Sequence, residues 1–79
     1  MTDRDLLTRC GRALWGQRWQ GEMAKALGIA ERAVRHWLAG ERDVPAGVWH
    51  DLAEMATDKA HELVNISDQI LDRSARNER

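Results

Sequence analysis

Three glycines, Gly16, Gly28 and Gly40, restrict the first half of this chain to short helices. Each falls where an apolar pattern of helical spacing stops, and glycine is the residue that ends a helix with positive φ at least cost. Before Gly16, the residues Leu6, Leu7, Cys10 and Leu14 recur at helical spacing, and Thr2 with Asp3 and Asp5 supplies a cap and an acidic first turn. This predicts a first helix over about residues 3 to 15. A connection over residues 17 to 19 follows, with polar Gln20 at the start of a second helix over about 21 to 27. Ala33, Val34, Trp37 and Leu38 set a third over about 31 to 39. Pro45 is suited to the first turn of a fourth, where its missing N–H is not needed. Its apolar face, Val48, Trp49, Leu52, Met55 and Ala56, continues through Ala60, Leu63, Ile66, Ile70 and Leu71. The C-terminal half is thus one unusually long helix or two with a break near Thr57 and Asp58, and one helix is the preferred reading. No strand pattern is visible. The expected fold is all-α, a compact bundle of four to five helices with a long C-terminal helix, and the polar residues 74–79 are expected to fray.

With 79 residues there is no apolar material for a second core, which excludes multidomain enzymes. Twelve Lys and Arg against thirteen Asp and Glu give a net charge of −1, a total that by itself points away from polyanionic partners. The single Cys10 has no partner for an internal disulfide, which fits a reducing, cytoplasmic setting. No stretch approaches the ~18 apolar residues of a membrane span, and the first residues lack the apolar core of a signal peptide, so no membrane association is expected. Four Trp with no Phe or Tyr leave out the aromatic platforms on which RNA-binding sheets stack bases. Trp15, Trp19, Trp37 and Trp49 read as core or its rim, Trp19 as a staple over the start of the second helix. Cys10 reads as a small buried hydrophobe. His50 and His61 are about 16 Å apart along a helix, too far to share a metal. No nucleophile–base arrangement with a phosphate loop or oxyanion donors can be assembled. Neither catalysis, a metal nor a cofactor is expected.

From Gln20 the chain reads QGEMAKALGIAERAVRHWLAG. Small Ala24 stands where two helices must cross closely, Gly28 four residues later where a positive-φ turn is needed, and Val34 and Trp37 at inward positions of the following helix. This stretch resembles the helix-turn-helix of the lambda repressor and Cro family (XRE-type) of phage and bacterial regulators, over about Leu6 to Leu52. One departure is Ala30, where family members often have Ser or Thr to cap the recognition helix. That loss costs about 1 kcal/mol, partly offset by Glu31 in the first turn. The resemblance implies a DNA-binding domain over residues 1–56, a helical extension over 57–73 that packs on the core or dimerises, and the tail 74–79.

Projected at about 100° per residue, the third helix places Glu31, Arg35, Ala39, Arg32 and His36 on one arc and Ala33, Trp37, Val34 and Leu38 on the other. Every surface helix has a polar face, but this one carries two Arg and a His that can donate to base edges or phosphates, with Ala39 leaving room for close approach. Arg32 is the best candidate for a bidentate contact to guanine. Glu31 accepts from cytosine, or holds Arg32 or Arg35 in register. His36 donates to guanine or phosphate, and Arg35 reads a base or clamps the backbone. Phosphate contacts are expected from Arg18 and Gln20 at the start of the second helix, and from Lys25 and Arg42. For Gln20 the resemblance adds that a Gln at this position commonly caps the helix and meets a phosphate.

Leu63, Ile66 and Ile70 extend an apolar stripe past what such a domain needs. The stripe either folds back on Leu6 and Leu7 or pairs with a second chain, and a homodimer on a palindromic site is expected. Lys59 argues against a long uninterrupted coiled coil. The reading is a small Cro-like repressor or autoregulator in the bacterial cytoplasm, bacterial or phage-encoded and nucleoid-associated, without a small-molecule effector. The alternative is a protein-interaction module, an antitoxin or adaptor, on the same scaffold. The net charge fits the first reading once divided. Residues 1 to 42 carry eight basic and five acidic side chains, and residues 43 to 79 carry four and eight. A basic head thus precedes an acidic tail, an asymmetry that orients a molecule on a polyanion.

Overall fold

Four α-helices make up the computed structural model, which describes residues 1–77: α1 (Asp3–Trp15), α2 (Trp19–Leu27), α3 (Glu31–Ala39) and α4 (Ala46–Asn77). No strand occurs among the described residues, so the chain is all-α as its periodicity requires. At the start of α1, Asp5 N–H donates to Thr2 Oγ1 at 3.1 Å and Thr2 N–H donates back to Asp5 Oδ2 at 3.4 Å. This reciprocal box satisfies two backbone donors that the first turn leaves free. Thr2→Ala is therefore expected to cost about 1 kcal/mol and lower the melting temperature by about 4–8 °C. An unchanged melt would remove the box from the account of α1.

The second helix begins earlier than its apolar spacing suggests. Trp19 is its first residue and not part of the connection, because its indole enters the core with 3% of its surface exposed. It is therefore a core residue, not a staple outside the helix. Arg18 is the N-cap and makes no side-chain capping bond. Gln20 is already the second helical residue, so it does not occupy the capping position. At the other end Gly28 adopts φ 70° and ψ 33°, donating to Lys25 O while Ile29 N–H donates to Ala24 O. The paired bonds form a Schellman turn, which a Cβ at Gly28 would strain. The same turn ends α3 at Gly40, with Glu41 N–H donating to His36 O.

Leu7 of α1, Trp19, Met23 and Ala24 of α2, Val34 and Trp37 of α3 and Leu52 of α4 form the buried core. Trp15 and Trp49 pack at its rim, half-buried. Cys10 is half-buried rather than fully inside, and desolvation pushes its thiol pKa up. A contact that periodicity does not indicate fixes the crossing of α1 and α2. A Cβ built on Gly11 would lie 2.1 Å from Trp19 Cε3 and 2.3 Å from Cδ2. The indole therefore lies directly against the bare backbone of α1. Arg4 Nη1 ties the opposite end of α1 to α3 by donating to Leu38 O at 3.2 Å.

Pro45 stands one position before α4, and its carbonyl accepts from Val48 and Trp49 N–H. The helix then runs 32 residues without a break at Thr57 and Asp58, a length of about 48 Å at 1.5 Å per residue. It continues through residues 74–77, where fraying was expected; residues 78 and 79 lie outside the described residues. From Ala60 to Arg76 every residue is exposed, so this half of α4 does not fold back on α1. Leu7 is committed to the core, and Leu6 remains 46% exposed. The protruding helix gives extents of 58 × 26 × 22 Å and a radius of gyration of 16.3 Å, against about 12 Å for a rounded domain of this length. No helix among the described residues is long and apolar enough to cross a membrane.

Candidate nucleic-acid interface

The core decides which face α3 presents outward. Val34 and Trp37 are buried and Ala33 and Leu38 half-buried, which turns Glu31, Arg32, Arg35 and Ala39 to solvent with His36 at the border. The two arcs separate as the projection indicates. Within the outward arc, Arg35 Nη1 donates to Glu31 Oε2 at 2.8 Å. Of the alternatives for Glu31, the structure brings it to Arg35 and not to Arg32. Both side chains are about half exposed, so the pair is screened by water and easily exchanged for another partner. Arg32 makes no ion pair among the described residues and extends freely from the first turn. His36 Nε2 lies 3.8 Å from Glu41 Oε2, just past the end of the helix.

Glu31 also reaches across to α2. Its Oε1 sits where a Cβ on Gly21 would approach to 2.8 Å, so the absent side chain at Gly21 makes room for the carboxylate. The only sequence signal for this contact is a glycine in the first turn of a helix. Glu31, Gly21, Arg18, Gln20 and Lys25 border one open cleft of about 480 Å³. Three of the four phosphate candidates therefore share one side of the molecule with the start of α3. Arg42, in the loop after α3, does not border this cleft. Lys25 Nζ lies 3.8 Å from Glu22 Oε1, with 80% and 51% of the two side chains exposed, an arrangement that a stronger anion displaces at little cost.

Neither α2 nor α3 has a side-chain cap at its N-terminus. Apart from Ala33 N–H, which donates to Ala30 O at 3.0 Å, first-turn N–H groups there are left to solvent or to an anion, and the partial positive charge of each helix end adds to that of Arg18 and Lys25. The chemistry gathered on this side is thus a set of long cationic donors around free amides, opposed locally by Glu22 and Glu31. The histidines of α4 lie elsewhere. His50 Nε2 is 2.9 Å from Glu54 Oε1, and His61 stands exposed on the protruding half of the helix. Among the described residues no three His, Cys, Asp or Glu side chains come together as metal ligands would. Compared with known proteins, the chain matches no family model, no curated protein and no solved structure.

Proposed function

We propose that the chain is a small sequence-specific binder of double-stranded DNA, a Cro-like transcriptional regulator acting as repressor or autoregulator. In this reading α2, the Gly28 turn and α3 form a helix-turn-helix, and α3 enters the major groove. The carrying observation is the outward arc of α3, where Arg32, Arg35 and His36 stand on a helix whose opposite face is buried. Long donors on a rigid helix are what base edges in the major groove require. Arg32, free of carboxylates, makes the bidentate contact to guanine O6 and N7. Glu31 holds Arg35 in register or turns to a cytosine amino group, and His36 meets guanine or phosphate. Arg18, Gln20, Lys25 and Arg42 contact the backbone, which fixes register without reading sequence. The unit acts as a homodimer through α4 on a palindromic operator, in the cytoplasm and associated with the nucleoid, without a small-molecule effector.

Selecting bound sites from a random duplex pool at physiological salt tests the proposal directly, with enrichment of a two-fold symmetric site as the expected result. On that site Arg32→Ala should cost about 1–3 kcal/mol and relax preference at one base pair of each half. Equal affinity and unchanged preference would withdraw Arg32 from base reading. Failure to enrich any site would favour the protein-interaction reading.

A further inference from the structure

An open apolar groove of about 760 Å³ runs between α1 and α4, and it extends to Leu63 on the protruding half of α4. Cys10, Ala13 and Leu14 border it from α1, and Trp49, Ala53 and Ala56 from α4. On α4 the groove face follows a seven-residue repeat, Trp49, Ala56, Leu63 and Ile70 in one row and Leu52, Lys59 and Ile66 in the next. Within the globular part Ala53, Ala56 and Ala60 open this face between the larger Trp49 and Leu52. Beyond Ala60 the same face becomes large and bare: Leu63, Ile66 and Ile70 are 55%, 41% and 61% exposed. One helix therefore carries both an unfilled apolar groove and, on the same register, the bulky aliphatic residues to fill one.

We infer that the groove receives the protruding half of α4 from a second copy of this chain, the two α4 helices running antiparallel about a two-fold axis near Lys59 and Ala60, where the two lysines interrupt the apolar seam and each keeps Glu62 of its own helix at 3.8 Å. This rests on the homodimer part of the proposed function and not on DNA binding. The antiparallel register sets two large residues on small ones, Leu63 of one copy facing Ala56 of the other and Ile66 facing Ala53, while Ile70 meets the edge of the groove at Trp49. Because the axis is two-fold, both grooves fill at once. A parallel pairing would instead stack Leu63, Ile66 and Ile70 on themselves and leave both grooves empty.

Two further observations favour this occupant. Residues 61–72 carry Glu62, Asp68 and Asp72 and neither Lys nor Arg, and Arg9 borders the groove; Lys59 borders it too but lies 3.8 Å from Glu62 of its own helix, as Asp72 does at 2.6 Å from Arg76. Arg9 contacts only the Met1 thioether among side chains of the described residues, at 3.9 Å, so its charge is available to the acidic tail. The tail also runs through Val64, Asn65, Ile66 and Ser67, which are weak helix formers, and such a stretch needs packing on one face to stay helical in water.

Native Cys10 borders the groove, which makes the test a cross-linking one. Ile66→Cys treated with a short bis-maleimide in the absence of DNA should give a covalent dimer, and adding Cys10→Ala should abolish it. A cross-linked dimer that persists without Cys10 means that residue 66 meets its own counterpart, which overturns the antiparallel seat while leaving a dimer in place. Sedimentation of the unmodified chain at micromolar concentration should give the dimer mass, and a monomer would overturn the pairing itself. Ile66→Asp with Ile70→Asp should weaken association by roughly 100-fold, since each substitution enters a symmetric interface twice. Both residues lie outside the core, so the circular dichroism and tryptophan emission of the globular part provide the control for folding. Unweakened association of that variant would also overturn the seat.

Discussion

Gly11→Ala is expected to lower the stability of the domain by about 2–4 kcal/mol, although alanine is the better helix former. In an exposed helix interior the substitution would gain about 1 kcal/mol. Here the new methyl would lie 2.1 Å from the Trp19 ring, and a ring held between α1, Met23 and the rest of the core cannot yield as the end of a long side chain does. The indole must move out, and losing its packing costs about 3–5 kcal/mol, the range for removing a buried Trp or Phe. The difference sets the estimate. For a chain of this size it corresponds to a drop in melting temperature on the order of 10–30 °C, readable by thermal or urea denaturation. Tryptophan emission should shift to the red as Trp19 meets water. Because the two groups touch, the effects should not add: in a Trp19→Leu background Gly11→Ala should cost much less. If Gly11→Ala alone proves neutral or stabilising, the close crossing of α1 and α2 is not what holds them.

The same contact shows where reading the sequence stops. The helices and their ends were legible because their signals are local. Gly28 and Gly40 mark Schellman turns, Thr2 and Asp5 a capping box, and Val34 and Trp37 the inward face of α3. Gly11 carries no such signal, since a glycine inside a helix pattern reads as a weak spot unless the residue that crosses it is known. The partner is Trp19, placed there by the angle between two helices. For the same reason Trp19 reads locally as part of a connection, whereas the core draws it into the first turn of α2. Glu31 behaves alike: its i, i+4 spacing to Arg35 is visible in the chain, but its reach over Gly21 depends on how α2 and α3 meet. The tail of α4 differs again. Its stripe is plain in the sequence, and whether it folds back on α1 depends on which α1 residues are already taken. Leu7 is, by the core. Arg18, Gln20 and Lys25 share a cleft that their separation in sequence does not announce, while Arg42 stands apart from it.

Raising salt from about 50 to about 200 mM should weaken binding to the selected operator by roughly 1,000-fold. Arg18, Lys25 and Arg42 are the cationic phosphate candidates on each protomer, and a dimer would neutralise about six phosphates with them. Each releases condensed counterions, giving a slope of about −5 in log K against log salt. The ion pair that competes for Lys25 is long and exposed and costs little to break, so it subtracts little from this count. Gln20 is neutral and contributes position but no slope. Arg18→Ala should therefore flatten the slope by about 2 for the dimer and weaken binding to all sequences alike, whereas Arg32→Ala should change base preference with a much smaller change in slope. The two substitutions separate the roles assigned to the start of α2 and to the exposed arc of α3. A loss of less than about tenfold over the same salt range would contradict the phosphate assignments, since about six neutralised charges cannot bind a duplex without that dependence. It would leave the cationic arc as a surface for an acidic protein, whose fewer and more widely spaced charges give a shallower response.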